Sequence, residues 1–158
     1  MILRDIIPYL DKPAVSGSLD TDITGFAYDS RLVGPGIAFV AIRGTHVDGH
    51  AFIGKAIELG AAAIFAEQAP ADDCKVPWVH VRHSRNALAQ AAATLNGFPA
   101  KGLTIAGITG TNGKTTTAFL LHHLFNSAQM RSGLLGTVFY DLGDGEHVPA
   151  SHTTPESL

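Results

Sequence analysis

A glycine-rich segment at residues 107–117 constrains the fold of this chain more than any other feature. It has the sequence Gly-Ile-Thr-Gly-Thr-Asn-Gly-Lys-Thr-Thr-Thr, follows the apolar run 103–106 and precedes a helical pattern that continues to about Ala128. A strand, a glycine-rich turn, a Lys-Thr pair and a helix form the layout of a phosphate-binding loop. Glycines let backbone N–H groups turn inward without a Cβ clash, and those groups attract phosphate oxygens together with the helix N-terminus. The segment is therefore predicted to bind a nucleoside triphosphate.

Two side chains of this loop are the candidate catalytic residues. The ammonium of Lys114 is expected on the β- and γ-phosphates, and the Thr115 hydroxyl is expected to ligate Mg²⁺. The strict pattern Gly-x-x-x-x-Gly-Lys-[Ser/Thr] requires glycine at position 108, where this chain has Ile108. The alternative is an ordinary glycine-rich connection that contains Gly-Lys-Thr by chance. The residues predicted to bind the triphosphate are Gly110, Thr111, Asn112, Gly113, Lys114, Thr115 and Thr116.

Composition and charge exclude several classes of protein. The 158 residues are 46% hydrophobic and 16% charged, which is typical of a globular protein. A net charge of −3 and a pI near 6.2 argue against a nucleic-acid partner. The apolar runs are too short for a membrane-spanning helix, and the first residues lack a secretory signal, so no membrane partner is expected. Cys74 is the only cysteine and cannot form an intramolecular disulfide, which indicates a cytoplasmic location.

Strand and helix patterns alternate through the first hundred residues, which predicts an α/β fold. Strands are predicted at 23–28, 37–42, 62–66 and 78–81, and a helix at 50–59. Ser84 is the predicted N-cap of a second helix, with Ala87, Leu88, Ala91, Ala92 and Leu95 on one face, which Gly97 and Pro99 terminate. Residues 96–102 have the composition of a linker. The predicted domains are therefore 1–98 and 99–158.

The second domain is predicted to be incomplete. After the loop helix come a strand near 133–140, a hairpin turn at Asp144–Gly145 and a return strand at 146–148. The run 134–141 ends in Asp141 like a Walker B strand, but the turn that follows it favours a hairpin. A phosphate-loop domain needs a sheet of several strands covered on both faces. The chain is thus expected to be an N-terminal fragment of a longer enzyme.

The remaining histidines show no metal-ligand spacing and are expected to be packed or solvated. They are His80, His83, His122, His123 and His147.

Separated motifs along the chain carry a resemblance to a known family. Asp-Ser-Arg at 29–31 is followed by Pro-Gly-x-x-Phe-Val-Ala at 35–41 and by Gly-x-x-x-Asp-Gly-His-x-Phe-Ile at 44–53. Gly-Thr-Asn-Gly-Lys-Thr-Thr at 110–116 and His-Thr-Thr-Pro-Glu-Ser at 152–157 come next, in the same order. Alone, 29–31 indicates a turn and 152–154 a polar tail. Together these motifs resemble the Mur ligases, and within that family the MurE branch.

The resemblance implies an α/β UDP-binding domain followed by the truncated start of an ATP-binding P-loop central domain. It also implies an ATP- and Mg²⁺-dependent amide-bond ligase of peptidoglycan synthesis, and so a role in cell shape and division. The enzyme would add diaminopimelate or lysine, the third residue of the stem peptide, to UDP-MurNAc-L-Ala-D-Glu through an acyl phosphate. In the family, a carbamylated lysine, acidic metal ligands and an Asp-Asn-Pro-Arg motif lie further along, so this chain is expected to be inactive alone. A monomer is expected.

The resemblance also assigns substrate contacts. Tyr28 and Ser30 would face the UDP portion, and the 45–47 loop the uracil and ribose. The residues implied to bind UDP-MurNAc-peptide are Tyr28, Ser30, Thr45, His46, Val47, His152, Thr153 and Thr154. The alternatives are a MurF, folylpolyglutamate or cyanophycin synthetase, a stand-alone nucleotide-binding module, and a P-loop kinase or GTPase.

Overall fold

The computed structural model of the chain describes residues 1–44, 47–71 and 74–150. The chain divides into two compact units, Met1–Lys101 and a second unit that begins at Gly102. A five-stranded sheet organises the first unit and a three-stranded sheet the second. No helix in the described ranges combines the length and the apolar composition needed to cross a membrane.

The sheet of the first unit is mostly parallel, which confirms the predicted α/β class. Its strands are β1 Ala14–Ser16, β2 Gly25–Ala27, β3 Ile37–Val40, β4 Ala63–Ala66 and β5 Trp78–His80. Strands β2 to β5 are parallel neighbours in chain order, and β1 pairs antiparallel with β5 at one edge. Each of the four predicted strands forms, and each is one to three residues shorter than predicted.

Both faces of this sheet are covered, because successive side chains of a strand point to opposite faces. Phe39, Ile64 and Trp78 lie on one face, with Ala56 of α1 (Ile53–Glu58) packed against them. The other face packs against α2 (Ser84–Leu95) through Ala87, Leu88 and Ala91. Burial on both faces explains why these strands are continuous apolar runs in the sequence. The helix predicted at 50–59 begins instead as the 3₁₀ helix Gly49–Phe52, which leads directly into α1.

The prediction that Ser84 caps α2 is wrong by one residue. Ser84 is the first residue of the helix and is fully buried, while His83 occupies the N-cap position without a capping side-chain bond. The Glu67 carboxylate, which follows β4, accepts the Ser84 N–H at 3.0 Å. A charged acceptor from another element therefore satisfies the helix start in place of a local cap. The predicted stop at Gly97 is confirmed, since Gly97 adopts φ +70.

The second unit consists of one helix and a small antiparallel sheet. Its elements are α3 Lys114–Ser127, β6 Leu134–Leu135, β7 Phe139–Asp141 and β8 His147–Pro149. The strand predicted at 133–140 is two strands, because the chain turns back between them and Leu135 pairs with Tyr140. The hairpin predicted around Asp144–Gly145 is confirmed by the pairing of β7 with β8.

The strand predicted at 103–106 does not form in the described structure. These residues carry no strand hydrogen-bond ladder, and Leu103 and Ile105 are 67% and 71% exposed. Apolar, β-branched residues favour a strand only where a neighbouring strand accepts their backbone hydrogen bonds. Strands β6 to β8 pair only with one another among the described residues.

Candidate functional site

Two glycines shape the segment that leads into α3. Gly110 has φ +150, and Gly113 has φ +79 and ψ −7 in the left-handed region. Gly113 is the N-cap of α3, no side chain caps this helix start, and a Cβ at Gly113 would meet open space. The first N–H groups of a helix have no intrahelical acceptor. This helix start therefore presents donors and a positive dipole end to solvent.

Lys114 lies folded over the same loop. Its Nζ donates to the Gly110 carbonyl at 2.6 Å and reaches the Thr111 carbonyl at 3.4 Å. A cation in the first turn opposes the helix dipole, so this position is unfavourable for a lysine in the absence of an anion. A bound phosphate would receive both the ammonium and the free N–H groups. The arrangement fits the predicted triphosphate loop.

Thr115 and Thr116 occupy the exposed first turn of α3. The Thr115 side chain is exposed, and its role as a Mg²⁺ ligand stays a prediction. Within the described ranges there is no group of three or more His, Cys, Asp or Glu side chains that could hold a metal ion. Since Mg²⁺ prefers six oxygen ligands, Thr115 would supply one ligand, and phosphate oxygens and water would supply others.

A second candidate site lies at the carboxyl edge of the parallel sheet in the first unit. Because β2 and β3 are adjacent and parallel, the segments that follow them emerge at the same edge. Ligands of open α/β sheets bind outside this edge. Tyr28 and Val47 are exposed there, and Ser30 is buried in the 3₁₀ turn after β2. Other predicted substrate contacts lie outside the described residues, namely Thr45, His46, His152, Thr153 and Thr154.

Asp29 and Arg31 form a tight local pair in the turn after β2. Asp29 caps the 3₁₀ helix Ser30–Leu32 by accepting the Arg31 N–H at 3.0 Å. The Arg31 guanidinium donates to both Asp29 carboxylate oxygens, from Nε to Oδ1 and from Nη2 to Oδ2. The guanidinium bond first, and the backbone bond second, lower the pKa of Asp29 to about 2. The turn predicted for these residues thus also orients Ser30 at the sheet edge.

Sequence reasoning gave no role to a polar network at the same edge. It contains Arg43, Asp48, His50 and Glu67, and the Asp48 carboxylate lies 2.6 Å from Nδ1 of His50. An open cleft of about 390 Å³ adjoins it. The residues lining the cleft are Ile42, Arg43, Glu67, His83, Arg85 and Asn86. An aspartate two residues before His50 is a capping signal that the sequence itself contains. The contact between His50 and Glu67, in contrast, depends on the pairing of β3 with β4.

Two histidines of the second unit meet a buried carboxylate. Nε2 of His122 and of His147 lie 3.2 and 3.8 Å from Oδ2 of Asp141. The Gly143 N–H is the main cause of a lowered Asp141 pKa, and the two histidines add to it. The side chains of His122 and His147 are thus packed against the hairpin carboxylate.

Models of one protein family match both units. The model "Mur ligase family, catalytic domain" matches residues 22–95, and the model "Mur ligase middle domain" matches residues 108–158. The chain belongs to the Mur ligase family. The candidate sheet-edge site lies within the first matched segment, and the predicted triphosphate-binding residues 110–116 lie within the second.

Curated relatives of this Mur ligase chain align along almost all of it. The UDP-N-acetylmuramyl-tripeptide synthetase of Deinococcus radiodurans is 46% identical over 162 residues, covering 99% of this chain and 33% of that protein. The UDP-N-acetylmuramoyl-L-alanyl-D-glutamate–2,6-diaminopimelate ligase of Parabacteroides distasonis is 45% identical, covering 100% of this chain and 32% of that protein. The chain thus spans about a third of the length of these relatives.

A solved structure also resembles the Mur ligase chain. Crystal structure I of MurF from Acinetobacter baumannii is 30% identical with a TM-score of 0.51. It covers 66% of this chain and 22% of the MurF chain. This likeness agrees with the α/β class and the family assignment.

Proposed function

We propose that this chain carries the uridine-substrate and ATP-binding parts of a MurE-type ligase. The observation that supports this most is the uncapped start of α3. There the left-handed Gly113 leaves the first helix N–H groups without a side-chain cap, and the Lys114 ammonium lies beside them, so both could bind a phosphate. Relatives at 45–46% identity with names of this reaction type support the substrate assignment.

The ATP assignment rests on the loop before α3. Backbone N–H groups and the Lys114 ammonium would neutralise the phosphates, and Thr115 would contribute a ligand to Mg²⁺. Magnesium would supply further charge neutralisation at the transferring phosphoryl group. The proposed ATP-binding residues are Gly110, Thr111, Asn112, Gly113, Lys114, Thr115 and Thr116.

The uridine assignment rests on the carboxyl edge of the first sheet. Tyr28 and Ser30 follow β2, and the loop with Thr45, His46 and Val47 follows the adjacent β3. We propose residues 1–98 as the uridine-substrate domain and 99–158 as part of the ATP-binding domain. His152, Thr153 and Thr154 would contact the muramoyl-peptide portion.

In a protein of the relatives' length, the reaction would have two steps. The carboxylate of UDP-MurNAc-L-Ala-D-Glu attacks the γ-phosphate of ATP and gives an acyl phosphate and ADP. The amine of diaminopimelate or lysine then attacks the acyl carbon, and phosphate leaves as the amide forms. This chemistry needs ATP and a uridine nucleotide, which supports a cytoplasmic location, and the monomeric state stays a prediction.

MurF is the second candidate, because the solved MurF structure shares the fold at 30% identity. A MurE-type chain should prefer UDP-MurNAc-L-Ala-D-Glu, whereas a MurF-type chain should prefer the nucleotide that already carries the third residue. Calorimetric competition between the dipeptide and tripeptide nucleotides distinguishes them. Preference for the tripeptide nucleotide would reassign the chain to MurF.

Amide chemical-shift mapping on the ¹⁵N-labelled chain tests both sites separately. ATP–Mg²⁺ should shift the amides of residues 110–116, and UDP should shift Tyr28, Ser30 and Val47. The matched control is inorganic phosphate, which should affect the loop before α3 and leave the sheet edge unchanged. Shifts that avoid these residues, with either nucleotide saturating, would contradict the site assignment.

A further inference from the structure

The loop between Arg43 and Asp48 is closed at its base by the backbone. Arg43 and Asp48 form an antiparallel bridge, and the Gly49 N–H donates to the Ile42 carbonyl at 2.9 Å. A Cβ at Gly49 would lie 2.7 Å from that carbonyl oxygen, so the close approach requires glycine. The two ends of this loop are therefore held together next to the end of β3.

His50 connects the base of the loop to a neighbouring strand. Its Nδ1 lies 2.6 Å from Oδ1 of Asp48, and its Nε2 lies 3.1 Å from the Glu67 backbone nitrogen, just past the end of β4. Because a backbone N–H only donates, Nε2 must accept and the ring proton must be on Nδ1. The imidazole therefore donates to Asp48 and accepts from Glu67.

Carboxylates and a guanidinium complete a closed ring around His50. Asp48 also accepts the His50 backbone N–H at 3.0 Å, which is the main cause of its lowered pKa. Nε of Arg43 lies 3.7 Å from Asp48 and 3.8 Å from Glu67. Glu67 in turn accepts the Ser84 N–H at the start of α2. The ring thus joins the ends of β3 and β4 to α2.

The strength of these contacts differs with exposure. The Arg43 side chain is 59% exposed and its ion pairs are long, so they contribute little. The His50 side chain is only 4% exposed and makes short bonds in two directions. Buried hydrogen bonds are costly to leave unmade. His50 is therefore the member of the ring that fixes the loop.

We propose that His50 is a positioning residue for the uridine nucleotide: through the Nδ1–H···Asp48 bond it holds the two described ends of the loop, Arg43–Gly44 and Val47–Asp48, in place beside the end of β3. This rests on the proposed uridine site. His50 acts through the loop, because its own ring is enclosed. The loop carries Val47, one of the residues assigned to the nucleotide.

A double-mutant cycle on the full chain tests this role, with UDP as the titrated ligand. His50→Phe keeps the ring packing and should weaken UDP binding about tenfold, or about 1.4 kcal/mol. Asp48→Ala should weaken UDP binding by a similar amount. The double variant should lose much less binding free energy than the sum of the two single losses, because both changes remove the same His50–Asp48 bond. ATP–Mg²⁺ affinity should not change. His122→Phe is the matched control and should leave UDP binding unchanged.

Conservative replacements separate positioning from general stability. The side-chain amide of asparagine places an N–H donor near the position of the His50 Nδ1. His50→Asn should therefore keep the bond to Asp48 and retain most UDP affinity. Glutamine places its amide oxygen near the position of the His50 Nε2 and leaves the bond to Asp48 unmade. His50→Gln should therefore weaken UDP binding as His50→Phe does. Unchanged UDP affinity in His50→Phe, or strictly additive losses in the cycle, would overturn the proposal. If His50→Phe does not fold, the comparison of Asn with Gln decides it.

A measurement without ligand keeps this inference separate from the uridine assignment. The His50 ring ¹⁵N shifts should show a protonated Nδ1, and the Gly49 amide should exchange faster in His50→Phe but not in His50→Asn. Failure of wild-type UDP binding with these signatures intact would reject the uridine site and retain the loop-fixing role. A protonated Nε2, or unchanged Gly49 exchange in His50→Phe, would reject the role of His50.

Discussion

At the scale of single residues, short-range and long-range contacts at the sheet edge differ in how far sequence predicts them. Asp29 caps a turn two residues before Arg31, and Asp48 does the same two residues before His50. Such local caps follow from the preference of aspartate for turns. The bond from Glu67 to His50 joins residues 17 apart, and only the parallel pairing of β3 with β4 brings them together. The first kind was predictable from the sequence and the second was not.

The Asp29–Arg31 pair predicts a pKa change. The Asp29 pKa should be about 2 in the wild type, and Arg31→Ala should raise it toward 3.8 without reaching it, because the backbone N–H still donates. A carboxyl titration followed by NMR measures both values. Since the folded-state pKa is lowered, the stabilisation is complete above about 3.8 and is lost as the pH falls toward 2. An unchanged pKa in Arg31→Ala would contradict the guanidinium as the main cause.

Lys114 supports a second residue-level prediction. Lys114→Gln removes the ammonium at the loop while leaving Gly113 and the helix start intact, so ATP–Mg²⁺ affinity should fall at least about tenfold. Calorimetry of the variant measures this loss. Lys55→Gln is the matched control, because it removes the same positive charge from an exposed lysine in α1. Equal ATP affinity in both variants would mean that Lys114 does not contact the phosphates.

At the scale of elements, hydrophobic periodicity predicts which face of a helix is buried. It does not predict which strands pair with one another. The predicted buried face of α2 is confirmed, because Ala87, Leu88 and Ala91 recur at helical spacing and pack against one face of the sheet. The apolar composition of residues 103–106 predicts a strand, yet a strand also needs a neighbouring strand to accept its backbone hydrogen bonds. The run 133–140 became a hairpin for the same reason, since the pairing of β6 with β7 is not encoded in its period.

Burial of the α2 face predicts a stability difference between two leucines of the first unit. Leu88 is 1% exposed in the core, so Leu88→Ala should lower the free energy of unfolding by about 2–5 kcal/mol. Leu32 is 69% exposed, so Leu32→Ala should change it by less than about 0.5 kcal/mol. Denaturant unfolding followed by circular dichroism compares them. Similar losses for both variants would contradict the packing of the Leu88 side chain in the core between α2 and the sheet.

At the scale of the whole molecule, the two units differ in how much they bury. In the first unit both faces of the sheet are covered, and α2 has six buried residues among twelve. In the second unit, α3 has no buried residues. The buried side chains among the described residues of this unit are Leu134 in β6 and Asp141 in β7. The small number of strands after the linker predicted an incomplete second domain. The β7–β8 hairpin was predictable from the turn signal at Asp144–Gly145, whereas the pairing of β6 with β7 could not be predicted from composition.

Burial predicts the pattern of amide hydrogen exchange. The amides of α2 should exchange slowly, whereas those of α3 should exchange fast, because few buried contacts oppose local opening of α3. The two helices have similar lengths, 12 and 14 residues, and so serve as matched controls for each other. Saturating ATP–Mg²⁺ should slow exchange in α3 alone. Equal protection of both helices in the free chain would contradict the difference in burial.

The most direct test of the proposed function is calorimetric titration of the unmodified chain with UDP-MurNAc-L-Ala-D-Glu, UDP and ATP–Mg²⁺, each alone. We expect the uridine ligands and ATP–Mg²⁺ to bind at tens to hundreds of micromolar, roughly −5 to −6 kcal/mol. Binding of ATP–Mg²⁺ without any response to the uridine ligands would indicate another ATP-dependent ligase. No binding of any of them to a folded sample would contradict the claim that this chain carries the two sites.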